Sequence, residues 1–430
     1  MYRGPSVKSV ISVATLAFLL VSPALGASDA VLLDAALRPQ RAQIIRIDLH
    51  DSGGSGQVAY LDDKNAPQSR PAAGLAAIAP ADWLAGSREP APAGADQAGP
   101  SVAPGWIELT DGQRLVGRPA AAGGSGGGKD QVGWEHERFG TVWVDLDKVS
   151  SLRMPGADKR VAPPAAAQGA DLVVLANGDR MEGFIEKFEG TGGNLVIDSG
   201  TRGGSQPRHT SVPSDEVALV LLSNPRKAPA PGMRVWLTDG SIVNLESVQS
   251  DAAKGRLTLT ARSLSTGAGQ GAASIELAEL LALTTDSSAL TSLASLPPTR
   301  QWPIGDRRRG DSVEIGPPGP LGAADIVLPG PMGVEWRLPA GSRRIAGQAV
   351  LEERSWTWGD CVVTVSVVRD GRDPVELARA RVNASRPVLD FNAELPATAT
   401  DDRLRISVDP GEHGPIQDRI VLRRALILGK

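Results

Sequence analysis

The chain has one cysteine and four histidines in 430 residues. That scarcity excludes a disulfide framework and leaves little material for a zinc site or a thiol enzyme. Tyrosine and phenylalanine are also rare, 2 and 5 residues beside 9 tryptophans. No excess of positive charge is present. The formal net charge is −4, which offers no footprint for nucleic acid. After the first residues no apolar run is long enough to read as a membrane span. What is abundant is Gly and Pro, 49 and 33 residues, well above the usual share of about 12%. At that density helix interiors would be broken, so short strands and turns are favoured. The 41% hydrophobic and 22% charged residues argue against a fully disordered chain and against a multi-span membrane protein. At roughly 100–200 residues per domain, the length allows two to four domains.

The first segment reads as an address. Arg3 and Lys8 form a positive start, and Val10 to Val21 is an apolar run. Pro23 follows, then Ala24-Leu25-Gly26 with small residues at the −3 and −1 positions. This pattern predicts a secretory signal peptide over 1–26, cut after Gly26. The apolar stretch is shorter than the ~20 residues a span needs, so cleavage is expected over anchoring. No Cys follows that would take a lipid. The chain is therefore expected to be exported, to a periplasm or the exterior, with no membrane span after cleavage. The one thiol, Cys361, lies in the strand-like run Cys361–Val368 and is expected to be buried and inert.

One phrase recurs in the first 300 residues. Ile107-x-Leu109-x-Asp111-Gly112 returns as Val173-x-Leu175-x-Asn177-Gly178 and as Val235-x-Leu237-x-Asp239-Gly240. Alternating apolar residues before Asp-Gly or Asn-Gly predict a hairpin with a type I′ turn. A second phrase closes each copy: Val144, Val149 and Leu152; Val212, Val217 and Val220; Ile275, Leu280 and Leu283. Each copy reads as a meander of about four strands, at 105–155, 171–223 and 233–285. A degenerate copy at 40–80 would begin at Ile47-x-Leu49-x-Asp51 and close with Leu75 and Ile78. Four short strands with one apolar face must curl into a small barrel, such as an SH3-like one, or pack on a neighbour. The connections 81–104, 156–170 and 224–232 are rich in Ala, Pro and Gly and read as spacers. The Gly-rich run at 124–128 lacks the Lys-Ser/Thr and helix of a phosphate loop.

The last 130 residues, 301–430, carry dense strand signals: Val334–Leu338, Gln348–Leu351, Val362–Val368, Leu404–Val408 and Ile420–Leu422. Most alternate apolar with polar residues, and turn signals such as Asp370-Gly371 separate them. About eight strands of this kind suggest a two-sheet sandwich. The fold expected for the whole chain is all-β: small hairpin repeats followed by a jelly-roll sandwich. The stretch Val334-x-Trp336-x-Leu338-Pro339-Ala340-Gly341, followed by Arg344-Ile345-Ala346-Gly347, resembles the NPCBM/NEW2 family of carbohydrate-binding modules. Cys361–Val368 is similar to the family's central strand. Leu404–Val408 with Asp409, Gly411, Asp418 and Ala425 is similar to its closing motif. The resemblance covers roughly residues 303–428 and implies a galactose-binding-like jelly roll on an exported bacterial protein. The upstream phrases also resemble those of planctomycete secreted proteins. One departure stands out: the closing motif commonly has a Trp four residues after its Asp, and here that position is Leu422.

Sugar binding needs an exposed ring for the apolar face of a pyranose and polar groups at its rim. Trp356-Thr-Trp358-Gly-Asp360 offers two rings. In a strand they would face one side as a platform, with Arg354 and Asp360 supplying hydrogen bonds. The competing account is that the rings fill the core, which is where large aromatics usually lie. Trp302 and Trp336 read as structural. Asp401-Asp402 and the acids between Asp409 and Glu412 lack EF-hand spacing and read as solvated turn acids. The basic run Asp306–Arg309 reads as a solvated loop. His50, His136, His209 and His413 are scattered, with His413 expected on a loop at the end of the sandwich. No catalytic, metal or cofactor residue is assigned. The expected function is a non-catalytic carbohydrate binder. The alternatives are a scaffold or adhesion protein whose exposed hairpin edges recruit protein partners, and a cryptic hydrolase built on acids that sequence cannot pair.

Overall fold

In a computed structural model of the chain, the described residues are 28–51, 55–85, 103–121, 128, 130–157, 169–200, 209–251, 256–266, 269–305, 312–396, 401–414 and 416–429. The segment 1–26 read as a signal peptide, most of the spacers 81–104 and 156–170, the glycines before 128 and the run Asp306–Arg309 lie outside them.

The protein is all-β. The first unit has β1 (Ser28–Asp34), β2 (Pro39–His50), β3 (Ser55–Leu61), β4 (Pro67–Pro71) and β5 (Leu75–Pro80). The second has β6 (Gly105–Leu109), β7 (Arg114–Pro119), β8 (Gln131–His136), β9 (Gly140–Asp145) and β10 (Val149–Arg153). The third has β11 (Asp171–Leu175), β12 (Arg180–Phe188), β13 (Asn194–Asp198), β14 (His209–Pro213) and β15 (Val217–Leu221). The fourth has β16 (Met233–Leu237), β17 (Ile242–Asp251), β18 (Arg256–Thr266), β19 (Gly269–Glu276) and β20 (Leu280–Thr284). In each unit the last strand pairs antiparallel with the first, which curls the unit into a small SH3-like barrel. Five strands stand where about four were expected. The closing phrase spans two of them: Val144 lies on β9, Val149 and Leu152 lie on β10, and the 3-10 turn Leu146–Lys148 sits between.

The recurrent turn differs from the type I′ expectation. Gly112, Gly178 and Gly240 have positive φ (81°, 92° and 92°), while the Asp or Asn before each does not. Each glycine N–H donates to the carbonyl three residues back, a type I turn closed by a left-handed residue. The side chains of Asp111, Asn177 and Asp239 instead accept the N–H two residues on, which is why Asx residues suit the position. The first unit begins at Ser28, not near residue 40, so Ile47 and Leu49 belong to its second strand. Its turn has the same hydrogen bonds, Leu37 N–H to the Asp34 carbonyl and Asp34 N–H to that of Arg38. Leu37 with φ 54° stands in the glycine's place.

The units share one apolar core and pair at their edges. β10 joins β15, β2 joins β17, β5 joins β20, and β9 joins β18. The edges expected to be open are therefore partly used between units. Polar junctions fix the second unit on the fourth. Buried Arg234 donates to Asn244 Oδ1 and to the Asp111 carbonyl, each at 2.8 Å. His136 accepts two backbone N–H groups on Nδ1 and places Nε2 2.9 Å from Ser241 Oγ and 3.4 Å from Asp239. A Ser-His-Asp relay places the carboxylate on the other ring nitrogen, so this buried cluster is a strut. Even the spacer 224–232 is tied down, because Asn224 donates to the carbonyls of Leu146 and Val149.

The sandwich begins before residue 301. Its strands are β21 (Leu290–Ser292), β22 (Pro298–Pro303), β23 (Glu314–Ile315), β24 (Ile326–Pro329), β25 (Met332–Arg337), β26 (Arg344–Leu351), β27 (Asp360–Val368), β28 (Val375–Asn383), β29 (Val388–Glu394), β30 (Arg403–Pro410) and β31 (Arg419–Leu428). One sheet runs β23-β24-β31-β26-β29 with β21 also on β31, and the other runs β22-β25-β30-β27-β28. Alternation puts Val363, Val365, Val367, Ile406 and Trp336 of one sheet against Ile345, Ile420, Leu422 and Phe391 of the other. Leu422 is thus a core residue. A further apolar seam, including Leu33, Leu37, Trp236, Leu321 and Leu426, joins the first and fourth units to the sandwich.

Candidate functional site

The two loops β26–β27 and β30–β31 lie at one end of the sandwich. The pairing of Cys361 with Pro410 sets the start of β27 beside the end of β30, which brings them together. The first loop is a 3-10 turn, Glu353–Ser355, continued as a tight turn through Trp358. The strand expected for Trp356 and Trp358 is absent, so two-residue alternation does not orient them. Neither ring fills the core: Trp356 is 42% and Trp358 55% exposed. Trp356 is anchored by its Nε1–H, which donates to the Leu351 carbonyl at 3.3 Å. Trp358 lies 6.2 Å, centroid to centroid, from His413 on the other loop. Ile416 on that loop is 50% exposed.

Asp360 does not serve the rim. It is buried, and both its oxygens are engaged by Arg381 at 2.6 and 2.7 Å. The Glu412 N–H donates to the same carboxylate at 2.9 Å, the Gly411 N–H donates to the Asp360 carbonyl, and Asp360's own N–H donates to Asp418. The residue read as a sugar contact is the pin between the loops. Arg381 also donates to Glu412 at 2.8 Å. Arg354 is exposed as expected, paired with Glu352, which also receives Arg419.

The Arg381 hydrogen bonds hold the Asp360 carboxyl below its ordinary range, against the upward push of burial. Arg381 does the same to Glu412. Carboxyls lowered in the fold stabilise it above their unfolded values, about 3.9 and 4.3, and that stability is lost as pH falls through the folded values. Melting temperature is therefore expected to hold above about pH 5 and to fall below about pH 4. Arg381→Gln should flatten that acid limb in a thermal scan from pH 6 to 2.5. Identical acid limbs in the two proteins would show that Arg381 does not set it.

Other candidates resolve as structure. Trp336 is fully buried, and Trp302 is flanked by the guanidinium groups of Arg300 and Arg405 at 5.1 and 5.3 Å. Asp402, expected as a solvated acid, is buried and takes Arg369 through both oxygens. Cys361 is buried, and burial pushes its thiol up to about 12. Among the described residues no group of three His, Cys, Asp or Glu is placed to hold a metal ion. Sequence reasoning missed Arg381, Ile416 and the meeting of His413 with Trp358. The available signal was the pairing of the strands that flank the two loops.

No sequence-family profile matches the chain, and no curated protein matches it. Several solved structures are similar at low score. The second CBM51 with INT domains of Clostridium perfringens ZmpB, in complex with GlcNAc, is 14% identical over 44% of this chain and 42% of that one, with a TM-score of 0.26. TmCBM61 in complex with β-1,4-galactotriose is 14% identical over 25% and 65%, with a TM-score of 0.18. CsCBM6-3 from Clostridium stercorarium in complex with cellobiose is 11% identical over 33% and 93%, with a TM-score of 0.20. The chain spans less than half the length of the first of these.

Proposed function

We propose that this is an exported, non-catalytic glycan-binding protein whose sandwich takes sugar on the Trp356–Trp358–His413 end. The observation that carries the reading is the exposure of two indoles on a loop pinned at both flanks. Large aromatics are seldom left this open without a contact to make. A pyranose would lay its C–H face on an indole, with Arg354, His413 and Glu412 at hand for its hydroxyls. The pin supports a preformed site, because Asp360, Arg381 and Glu412 already bind one another and little ordering remains to be done on binding. Their engagement also supports a binding role over hydrolysis, since the site's buried carboxylate is committed to an arginine. Export rests on the positive start, the apolar run and the small residues before the expected cut after Gly26. The scaffold alternative needs open strand edges, and those of β2, β5, β10 and β15 are taken by sister units.

A glycan array probed with the full mature chain, followed by calorimetric titration of the best hit, tests this. Trp358→Ala and Trp356→Ala should each weaken binding roughly tenfold or more, the factor set by about 1.4 kcal/mol of lost ring contact. A wild-type chain that binds no glycan, or variants that bind as well as wild type, would remove the reading.

A further inference from the structure

The seam between the first unit and the sandwich is not filled. It encloses a cleft of about 490 Å³, within the range of small-ligand sites. Trp83 and Leu37 line it on the repeat side, and Gln348, Asp390, Phe391 and Arg424 line it on the sandwich side. Both walls depart from the local pattern to reach it.

On the repeat side, three sister turns place glycine in the left-handed position, and the first unit places Leu37 there with φ 54°. A leucine is disfavoured in that conformation and persists only where the surroundings hold it. On the sandwich side, Ala346 pairs with Leu426 and Gln348 with Arg423, so one residue of β26 faces two of β31. That is a β-bulge, a device that re-aims side chains beside sites. Arg424, at its centre, has φ 52°. Its guanidinium carbon sits 5.4 Å from the centroid of the Trp83 ring. It has no carboxylate in ion-pair range among the described residues. Among the described residues Asp390 is held only by Gln348, through one of its oxygens. Burial, the largest influence on Arg424, holds its pKa below the ordinary value, as expected for a cation with incomplete compensation.

We infer that this cleft is a second ligand site, for a neutral sugar of one or two rings. The chemistry selects the class. A bare anion would gain Arg424 but face Asp390, and a cation would face Arg424. Hydroxyl groups both donate and accept, so one polyhydroxylated ring satisfies the guanidinium and the carboxylate together. Trp83 supplies apolar surface for its C–H face.

The test uses the full mature chain carrying Trp356→Ala and Trp358→Ala, so the outcome does not depend on the loop site. Cellobiose, lactose, N,N′-diacetylchitobiose and glucuronate are titrated calorimetrically. At least one neutral disaccharide should bind, and Trp83→Ala, Asp390→Asn and Arg424→Asn should each weaken it tenfold or more. Asn tolerates the left-handed backbone at 424, so melting temperature should hold in that variant and separate lost binding from lost fold. No binding by any neutral disaccharide, binding of glucuronate alone, or binding unchanged by Asp390→Asn and Arg424→Asn would each overturn the inference.

Discussion

Replacing Trp336 with alanine should cost the sandwich about 3–5 kcal/mol, the usual range for truncating a buried large aromatic. Trp336 lies on an inner strand of its sheet, in register with Leu404 of β30 on one side and Pro298 of β22 on the other. It is fully buried in the core shared by the two sheets. Among the described residues its Nε1 has no hydrogen-bond partner, so the contribution is packing. Trp336→Phe should then stay within about 2 kcal/mol of wild type, because it removes volume but no hydrogen bond. Trp358→Ala, at a surface ring, should change stability by about 0.5 kcal/mol or less while lowering glycan affinity. Denaturant unfolding followed on the sandwich transition measures all three. The repeats and sandwich need not unfold together, so the transitions are read separately. Equal destabilisation by Trp336→Ala and Trp358→Ala would abolish the division between core and surface indoles.

The features legible in the sequence were those with local causes. The Asp-Gly and Asn-Gly phrases revealed three units because the left-handed glycine and the Asx acceptor lie within four residues of each other. The first unit was misplaced because Leu37 occupies the glycine position. Burial against the sandwich helps hold a leucine there, and that contact is distant in sequence. Ile47 and Leu49 then imitated a first strand, since any strand shows the same alternation. The sandwich was legible from runs such as Cys361–Val368, whose neighbours differ but whose period does not. The site was harder to see. Whether Trp356 and Trp358 continue a strand or sit on a turn depends on Asp360, whose partners Arg381, Glu412 and Asp418 all lie more than twenty positions along the chain. An acid beside two indoles reads as a sugar contact until its arginine is located. The cleft at Arg424 left no local trace, because a bulge is a relation between two strands.

Substituting alanine for Gly359 or Gly411 should have the largest effect on the loop site for the smallest change in chemistry. A Cβ at Gly359 would lie 2.5 Å from the Ser355 carbonyl oxygen and 2.9 Å from that of Gln417. A Cβ at Gly411 would press on the carbonyl and carboxylate oxygens of Asp360. The obstacles are backbone and a pinned side chain, so a loop must move, and Gln417 already stands at φ 58° with no slack to give. Overpacking of this kind costs about 1–3 kcal/mol. The functional loss should exceed that, because displacing either loop separates Trp358 from His413 and loosens Asp360 from the Glu412 N–H. Glycan affinity is expected to fall more than tenfold in both variants, with both indoles still present. Thr357→Ala, exposed between the indoles, should melt as wild type does. If Gly359→Ala binds as tightly as wild type, the apposition of the two loops does not shape the binding surface, and a lone indole suffices. If affinity and melting temperature fall together in both glycine variants but not in Thr357→Ala, the contact between the loops is what holds the indoles in place.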